Sequence, residues 1–353
     1  MKKTQNALQL GIDNDLHAGA QLYISHRGQV LADLALGEAQ PGAKMRTDSL
    51  TLWMSAGKPL AAIAMLQLID RGLTTLDTRV AEVIPEFGAN GKGPITIRHL
   101  LTHTAGFRGP LNNFAPGPWE AILQRVYALK QEPGWVPGEK AGYHIGSSWF
   151  VLGELIAEID GRAFEDYVRE DVLRPVGATH SSVGMREAEV IEAADRLSVV
   201  SPDFPGNHGD ALTVIRPGAN ARGPIRELGK VYESLLHHDG RLLLPQTSQA
   251  MIARQREGMF DQTFKQIIDW GFGLKLDGKR YAMANNAPEP YGYGPHASDA
   301  TFGHSGNQVG CAFADPEHDL VVAWITNGMP GEEKHQARQN AVNAAIYEDL
   351  GLA

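Results

Sequence analysis

Ser55, Ala56, Gly57 and Lys58 place a hydroxyl and an amine at i and i+3. On a helix, residues at that spacing share a face and can hydrogen-bond. A serine hydroxyl is a weak nucleophile until a neighbouring base takes its proton. Lysine serves as that base only where burial or nearby positive charge disfavours the ammonium form. The start of an apolar helix supplies both, because it desolvates the amine and places positive potential beside it. The backbone N–H of Ser55 would also face a developing oxyanion there. By itself the tetrad fits a helix cap followed by a solvated lysine better than a nucleophile, so its surroundings decide.

Two other patterns invite a chemical reading and give way to plainer ones. His99 and His103 have the i,i+4 spacing of a zinc-binding helix, but Leu100 stands where such chemistry needs glutamate. They read as structural histidines on a helix and its following loop, and no metal is expected. Gly303-His304-Ser305-Gly306-Asn307 approaches a Gly-x-Ser-x-Gly nucleophile elbow, yet its fifth residue is Asn. Too little chain follows Ser305 for the usual Ser…Asp…His order, so the segment reads as a strand-edge turn lining a pocket. Cys311, set two residues from Val309 on one strand face, reads as a small core residue.

The elements around these residues follow from periodicity. A helix is expected from Ser55 to Arg71, apolar on most sides through Leu60, Ile63, Met65, Leu66, Leu68 and Ile69, with Gly72 at its end. A second runs from about Ser148 to Asp160, capped by Ser147 or Ser148 and followed by Gly161. Gln21–Ser25 and Gln29–Ala35 flank His26-Arg27-Gly28 as a hairpin. Val309–Ala314 and Leu320–Thr326 form another around Asp315-Pro316-Glu317, and a long helix spans Glu332–Leu350. Strands at both ends imply one mixed domain built from both termini, residues 1–85 and 221–353. The helix-rich stretch 86–220, with its Pro/Gly connections, reads as an insertion.

A chain of 353 residues, 43% hydrophobic and 21% charged, is an ordinary globular composition able to bury a sizeable core. Lys and Arg number 32 against 41 Asp and Glu, a net charge of −9 without basic runs, so nucleic acid is not an expected partner. One cysteine excludes an internal disulfide framework, and no apolar stretch approaches a membrane span. The N-terminus sets polar residues after Lys2 and Lys3, where a signal peptide would be apolar, so a cytoplasmic location is expected.

Four further segments follow the Ser55 tetrad in order. They are Ile95-Thr96-Ile97-Arg98-His99-Leu100-Leu101-Thr102-His103-Thr104-Ala105-Gly106-Phe107, Pro137-Gly138-Glu139-Lys140-Ala141-Gly142-Tyr143, Leu152-Gly153-Glu154-Leu155-Ile156, and Phe302-Gly303-His304-Ser305-Gly306 ahead of Phe313-Ala314-Asp315-Pro316. Together they resemble the serine β-lactamase and penicillin-binding-protein superfamily, most of all class C β-lactamases and the carboxylesterases that share their fold. The resemblance spans about residues 20 to 330. It implies an antiparallel sheet flanked by helices, an α/β (α+β) fold with an inserted helical subdomain, and an active site in the cleft between the two parts. Ser55 would be the acylated nucleophile, with Lys58 and Tyr143 as a coupled proton-handling pair. The N–H groups of Ser55 and Asn307 would form the oxyanion hole. His304, Ser305 and Gly306 occupy the place of the Lys-Thr-Gly strand.

Two departures from that pattern bear on substrate. Ile145 replaces the asparagine of the Tyr-x-Asn element, removing an amide that would hold a substrate's acylamide. His304 replaces lysine, weakening a permanent cationic site for a β-lactam carboxylate. Both favour esters of small acyl groups, cleaved through a Ser55 acyl-enzyme without cofactor. The alternatives are β-lactam or amide hydrolysis, acyl transfer from the same intermediate, and a non-catalytic binding protein on this fold. Phe107 and Trp119 are candidate substrate-binding walls alongside Ile145, and Trp53, Phe114 and Trp149 lie near the motifs as well. Pro116-Gly117-Pro118-Trp119 and Tyr291-Gly292-Tyr293-Gly294 have the composition of loops that could cover the cleft.

Overall fold

The computed structural model describes residues 1–109, 117–201, 204–207, 209–285 and 289–353. Its centre is a seven-stranded sheet in which every pairing is antiparallel. The strands are β1 (Gly19–His26), β2 (Gln29–Gln40), β3 (Ala43–Lys44), β4 (Lys275–Leu276), β5 (Phe302–Gly306), β6 (Gly310–Asp315) and β7 (Leu320–Thr326), in the spatial order β3-β2-β1-β7-β6-β5-β4. The two expected hairpins are both present and lie side by side. Strand β1 pairs with β7 from Ala20↔Thr326 to His26↔Leu320, so the two ends of the chain share the middle of the sheet. The first hairpin turns at Arg27 and Gly28, with φ of 53° and 72°, the left-handed pair that suits strand twist.

Strand β7 shows why the sheet needs helices on both sides. All seven residues of Leu-Val-Val-Ala-Trp-Ile-Thr are buried, and successive side chains point to opposite faces. Leu320, Val322 and Trp324 join one core with Leu8 of α1 (Lys2–Asp13) and with Val342 and Ile346 of the long C-terminal helix. Val321, Ala323 and Ile325 join the other, larger core. That second face is covered by the amphipathic helix Ile225–His237 through Leu228, Val231, Tyr232 and Leu235. The N-terminal helix was not legible from the sequence. It docks because Asp349 accepts hydrogen bonds from the N–H groups of Lys3 and Thr4 at 3.1 and 2.9 Å. Cys311 is a buried core residue, but it faces the α1 side whereas Val309 faces the other.

Helix α2 (Lys58–Asp70) is buried from Lys58 to Leu68 and is preceded by a 3-10 turn, Met54–Gly57. The expected single helix from Ser55 is therefore split, with Pro59 accommodated in the first turn of α2. Its neighbour α3 (Ser147–Asp160) ends at Gly161, whose φ of 83° matches the expected left-handed cap. At the other end the cap is Gly146, not a serine. Ser147 is committed to the ring of His144 at 2.9 Å instead. Helix α4 is Ile225–His237, and α5 is the expected Glu332–Leu350. No helix among the described residues is long and apolar enough to cross a membrane.

Candidate active site

Ser55 lies in the 3-10 turn at the head of α2, directly after Met54, whose φ is +52°. A non-glycine residue in that region carries backbone strain, held here by burial of Met54, Ala56 and Gly57 around the partly exposed Ser55. The end of β5 presses against this turn. A Cβ at Gly306 would lie 2.5 Å from the carbonyl oxygen of Trp53 and 3.2 Å from Cβ of Met54, so only glycine permits the approach. That contact brings the backbone after Gly306 beside Ser55.

Lys58 is fully buried, and none of the ion pairs among the described residues includes it. Its Nζ is 2.9 Å from Ser55 Oγ and donates to the carbonyl oxygen of Gly218 at 2.6 Å. The rings of Tyr143 and Trp149 enclose it, each centroid 5.4 Å away. Removal from water with no carboxylate in reach holds its pKa well below the ordinary lysine value. A neutral amine that donates one N–H to Gly218 retains a lone pair able to accept the serine proton.

The Tyr143 hydroxyl faces Ser55, and its own pKa is raised by burial, the interaction with Ser55 opposing this in part. Its position is set by Asp261, a fully buried carboxylate 118 residues further along the chain. Asp261 accepts from the N–H of Tyr143 at 3.1 Å, of Thr263 at 2.8 Å and of Phe264 at 3.1 Å. Buried Arg256 neutralises it at 2.9 Å and also donates to the carbonyls of Thr102 and Ile268. Thr263 Oγ1 closes the bracket by donating to the Tyr143 carbonyl at 2.9 Å. Nothing in the local sequence around Asp261 or Arg256 marks this role, because the partner they serve arrives only on folding.

A cavity of about 380 Å³ opens at Ser55 and Tyr143, with Ile145, Trp270, Phe264, His304, Ser305 and Asn307 in its walls. Ile145 is 48% exposed at this cavity, an apolar side chain where an amide would have offered hydrogen bonds. His304 sits inside β5, paired in register with Ala312, so the segment is strand and not the expected edge turn. Its Nδ1 donates to the carbonyl of Ser305 at 2.9 Å. Burial holds the imidazole down to about 3, leaving it uncharged near neutral pH. One cation unmarked in the sequence does line the cavity. Lys275 of β4 stands opposite Gly303, but Glu289 pairs with it.

Other expected residues lie elsewhere. Phe107 is fully buried, edge-on to Phe87 and packed on His144. Trp119 packs on Phe150 of α3 and donates its indole N–H to Glu154 at 2.6 Å. Neither forms a described part of the cavity wall, and both act in the helical core. Trp53 and Trp149 are likewise fully buried, Trp149 directly beside Lys58. Phe114 and Pro116 lie outside the described residues. His99 accepts from the N–H of Thr96 at 3.1 Å, while His103 accepts from that of His144 at 3.0 Å, so the two rings serve separate structural ends.

Known proteins resemble this chain over nearly its whole length. The chain is 26% identical to penicillin-binding protein 4 of Amycolatopsis lactamdurans over 91% of its own length and 80% of that protein's. It is 27% identical to esterase EstB of Burkholderia gladioli, over 89% of this chain and 88% of the other. A solved penicillin-binding protein homologue from Caulobacter crescentus superposes with a TM-score of 0.78 at 25% identity, covering 98% of this chain and 97% of that one. The model of the beta-lactamase family matches residues 9–346, a span that holds the serine, the buried lysine, the tyrosine and the whole sheet. The chain belongs to the beta-lactamase family, a family of serine hydrolase-type enzymes.

Proposed function

We propose that the protein is a carboxylesterase that cleaves esters of small, uncharged acyl groups through a Ser55 acyl-enzyme. Lys58, uncharged and oriented by Gly218, accepts the Ser55 proton as Oγ attacks the ester carbonyl. The N–H groups of Ser55 and Asn307 receive the negative charge on the carbonyl oxygen. Tyr143, which keeps its proton near neutral pH, passes one to the departing alcohol and is refilled from Lys58. Water then follows the reverse path and releases the acid. His304, Ser305 and Gly306 shape the strand edge beside the substrate, and Ile145 contacts its apolar part.

The observation that carries this reading is the charge of the cavity. Among its described lining residues the one cation, Lys275, is already paired with Glu289, and His304 is uncharged. A substrate carboxylate would find no free positive partner, while an uncharged ester meets Ile145, Phe264 and Trp270. This disfavours β-lactams and suits small esters.

The test is intact mass and turnover with p-nitrophenyl acetate or butyrate and, separately, a cephalosporin, for the wild type and Ser55→Ala. The expected result is ester turnover with an acyl adduct that disappears in Ser55→Ala, and little cephalosporin turnover. Efficient cephalosporin hydrolysis would overturn the ester preference. An added alcohol that diverts the acyl group from water would identify acyl transfer from the same intermediate.

A further inference from the structure

Beside the reaction cavity lies a second cavity of about 350 Å³, and the two share the walls Thr263, Phe264, Pro290 and Tyr291. On its far side are Glu332, Gln336 and Asn340 of α5. The rings of Phe264 and Tyr291 meet edge to face with centroids 6.4 Å apart, forming a two-ring partition. Tyr291 is fastened from several directions. Its Oη lies 2.7 and 2.9 Å from the carboxylate oxygens of Glu332 and 3.1 Å from the side-chain oxygen of Asn307. Its single proton goes to the carboxylate, the stronger acceptor. Its ring rests 5.5 Å from that of His335, and its backbone is held at φ +51°.

Resting on the esterase reading above, we propose that Tyr291, latched by Glu332, determines substrate size by closing the reaction cavity off from the second one. The two halves of the partition differ in what else they do. The Phe264 ring also packs on Tyr143 at 5.1 Å, and Phe264's N–H helps to hold Asp261. Tyr291 meets this bracket only through the edge of the Phe264 ring and makes none of the described hydrogen bonds to Tyr143 or Asp261, so it is the part of the wall that can vary with least effect on the proton-handling residues. The space behind it is bounded by amide and carboxylate side chains as well as Pro290 and the two rings. It therefore fits a chain that carries a hydroxyl or amide at its far end as well as a plain alkyl chain. Burial of each additional methylene is worth about a fourfold gain in binding.

The test compares kcat/KM for p-nitrophenyl acetate, butyrate, octanoate and dodecanoate, and for a matching series lengthened on the alcohol side. In Tyr291→Ala the ratio of the long to the short ester should rise by about tenfold or more in one of the two series, as two or more methylenes gain a buried site. Tyr291→Leu, which retains apolar bulk, should move the ratio the same way by less. Adding Asn340→Trp to Tyr291→Ala refills the second cavity and should return the ratio toward the wild-type value. An unchanged ratio in a folded, Ser55-dependent Tyr291→Ala or Tyr291→Leu enzyme overturns the proposal. So does a raised ratio that survives Asn340→Trp. Loss of the esterase reading is seen separately, as absence of Ser55-dependent turnover of the acetate by the wild type.

Discussion

Lys58→Met keeps the length of the side chain and removes its amine, which makes the protonation state of Lys58 measurable through stability. In the unfolded chain this lysine titrates at the ordinary 10.5, whereas in the folded protein burial lowers it well below that value. Between the two pKa values the unfolded state therefore holds one more proton than the folded state. Wild-type stability rises with pH through that window by about 1.36 kcal/mol per unit, is complete above 10.5, and is lost as pH falls. The variant lacks the group and its slope, while all other titrations cancel in the comparison. The loss of the bond to Gly218 adds an offset that does not change with pH. The stability of wild type relative to Lys58→Met should thus increase from pH 7.5 to 9, at up to about 1.36 kcal/mol per unit. Urea unfolding at four or five pH values measures it. A difference that stays flat across that range would mean Lys58 is protonated in the folded enzyme, and the role of proton acceptor would fall with it. The same variant should lose about 10²- to 10⁴-fold in esterase kcat.

Three further outcomes follow from named contacts. Asp261→Asn leaves Arg256 buried without its counter-charge, so urea unfolding should show a loss of about 3–5 kcal/mol, and kcat should fall as the Tyr143 bracket loosens; full retention of both would refute the tether. Gly306→Ala places a Cβ 2.5 Å from the Trp53 carbonyl and must push β5 away from Ser55, so kcat should drop by about 100-fold or more in a protein that still folds, and near-normal kcat would remove Asn307 from the oxyanion site. Burial lowers His17, His144, His304 and His335 to about 3. The unfolded state binds more protons than the folded between about 3 and 6.5, so stability is complete above 6.5 and declines below it. Tm should fall steadily from pH 6.5 to 5, less steeply in His304→Asn, and a constant Tm over that range would contradict neutral burial.

The parts of this protein that were legible in the sequence are those encoded within a dozen or so neighbouring residues. The hairpin around Arg27-Gly28, the second hairpin around Asp315-Pro316, the apolar helix after Ser55 and the last helix are all set by local periodicity and turn chemistry. The i,i+3 spacing of Ser55 and Lys58 belongs to the same class, and their 2.9 Å contact follows from it. Local signals failed at helix starts. Ser147 had a capping residue's chemistry but found a stronger claim on His144, which left Gly146 as the cap.

Whether Lys58 is a base could not be read from its neighbours in sequence, because its pKa depends on what surrounds the amine in space. The carbonyl that orients it comes from Gly218, 160 residues away, and the rings that desolvate it come from Tyr143 and Trp149. The same holds for the walls of the cavity. Phe107 and Trp119 lie near the motifs along the chain yet fill the helical core, while Phe264, Trp270 and Tyr291 come from distant segments to enclose the substrate space. The sequence determined which reactive groups were present and which local elements would carry them. Tertiary structure decided their charge and their company, since desolvation and contact are properties of the folded interior and of no single stretch of chain.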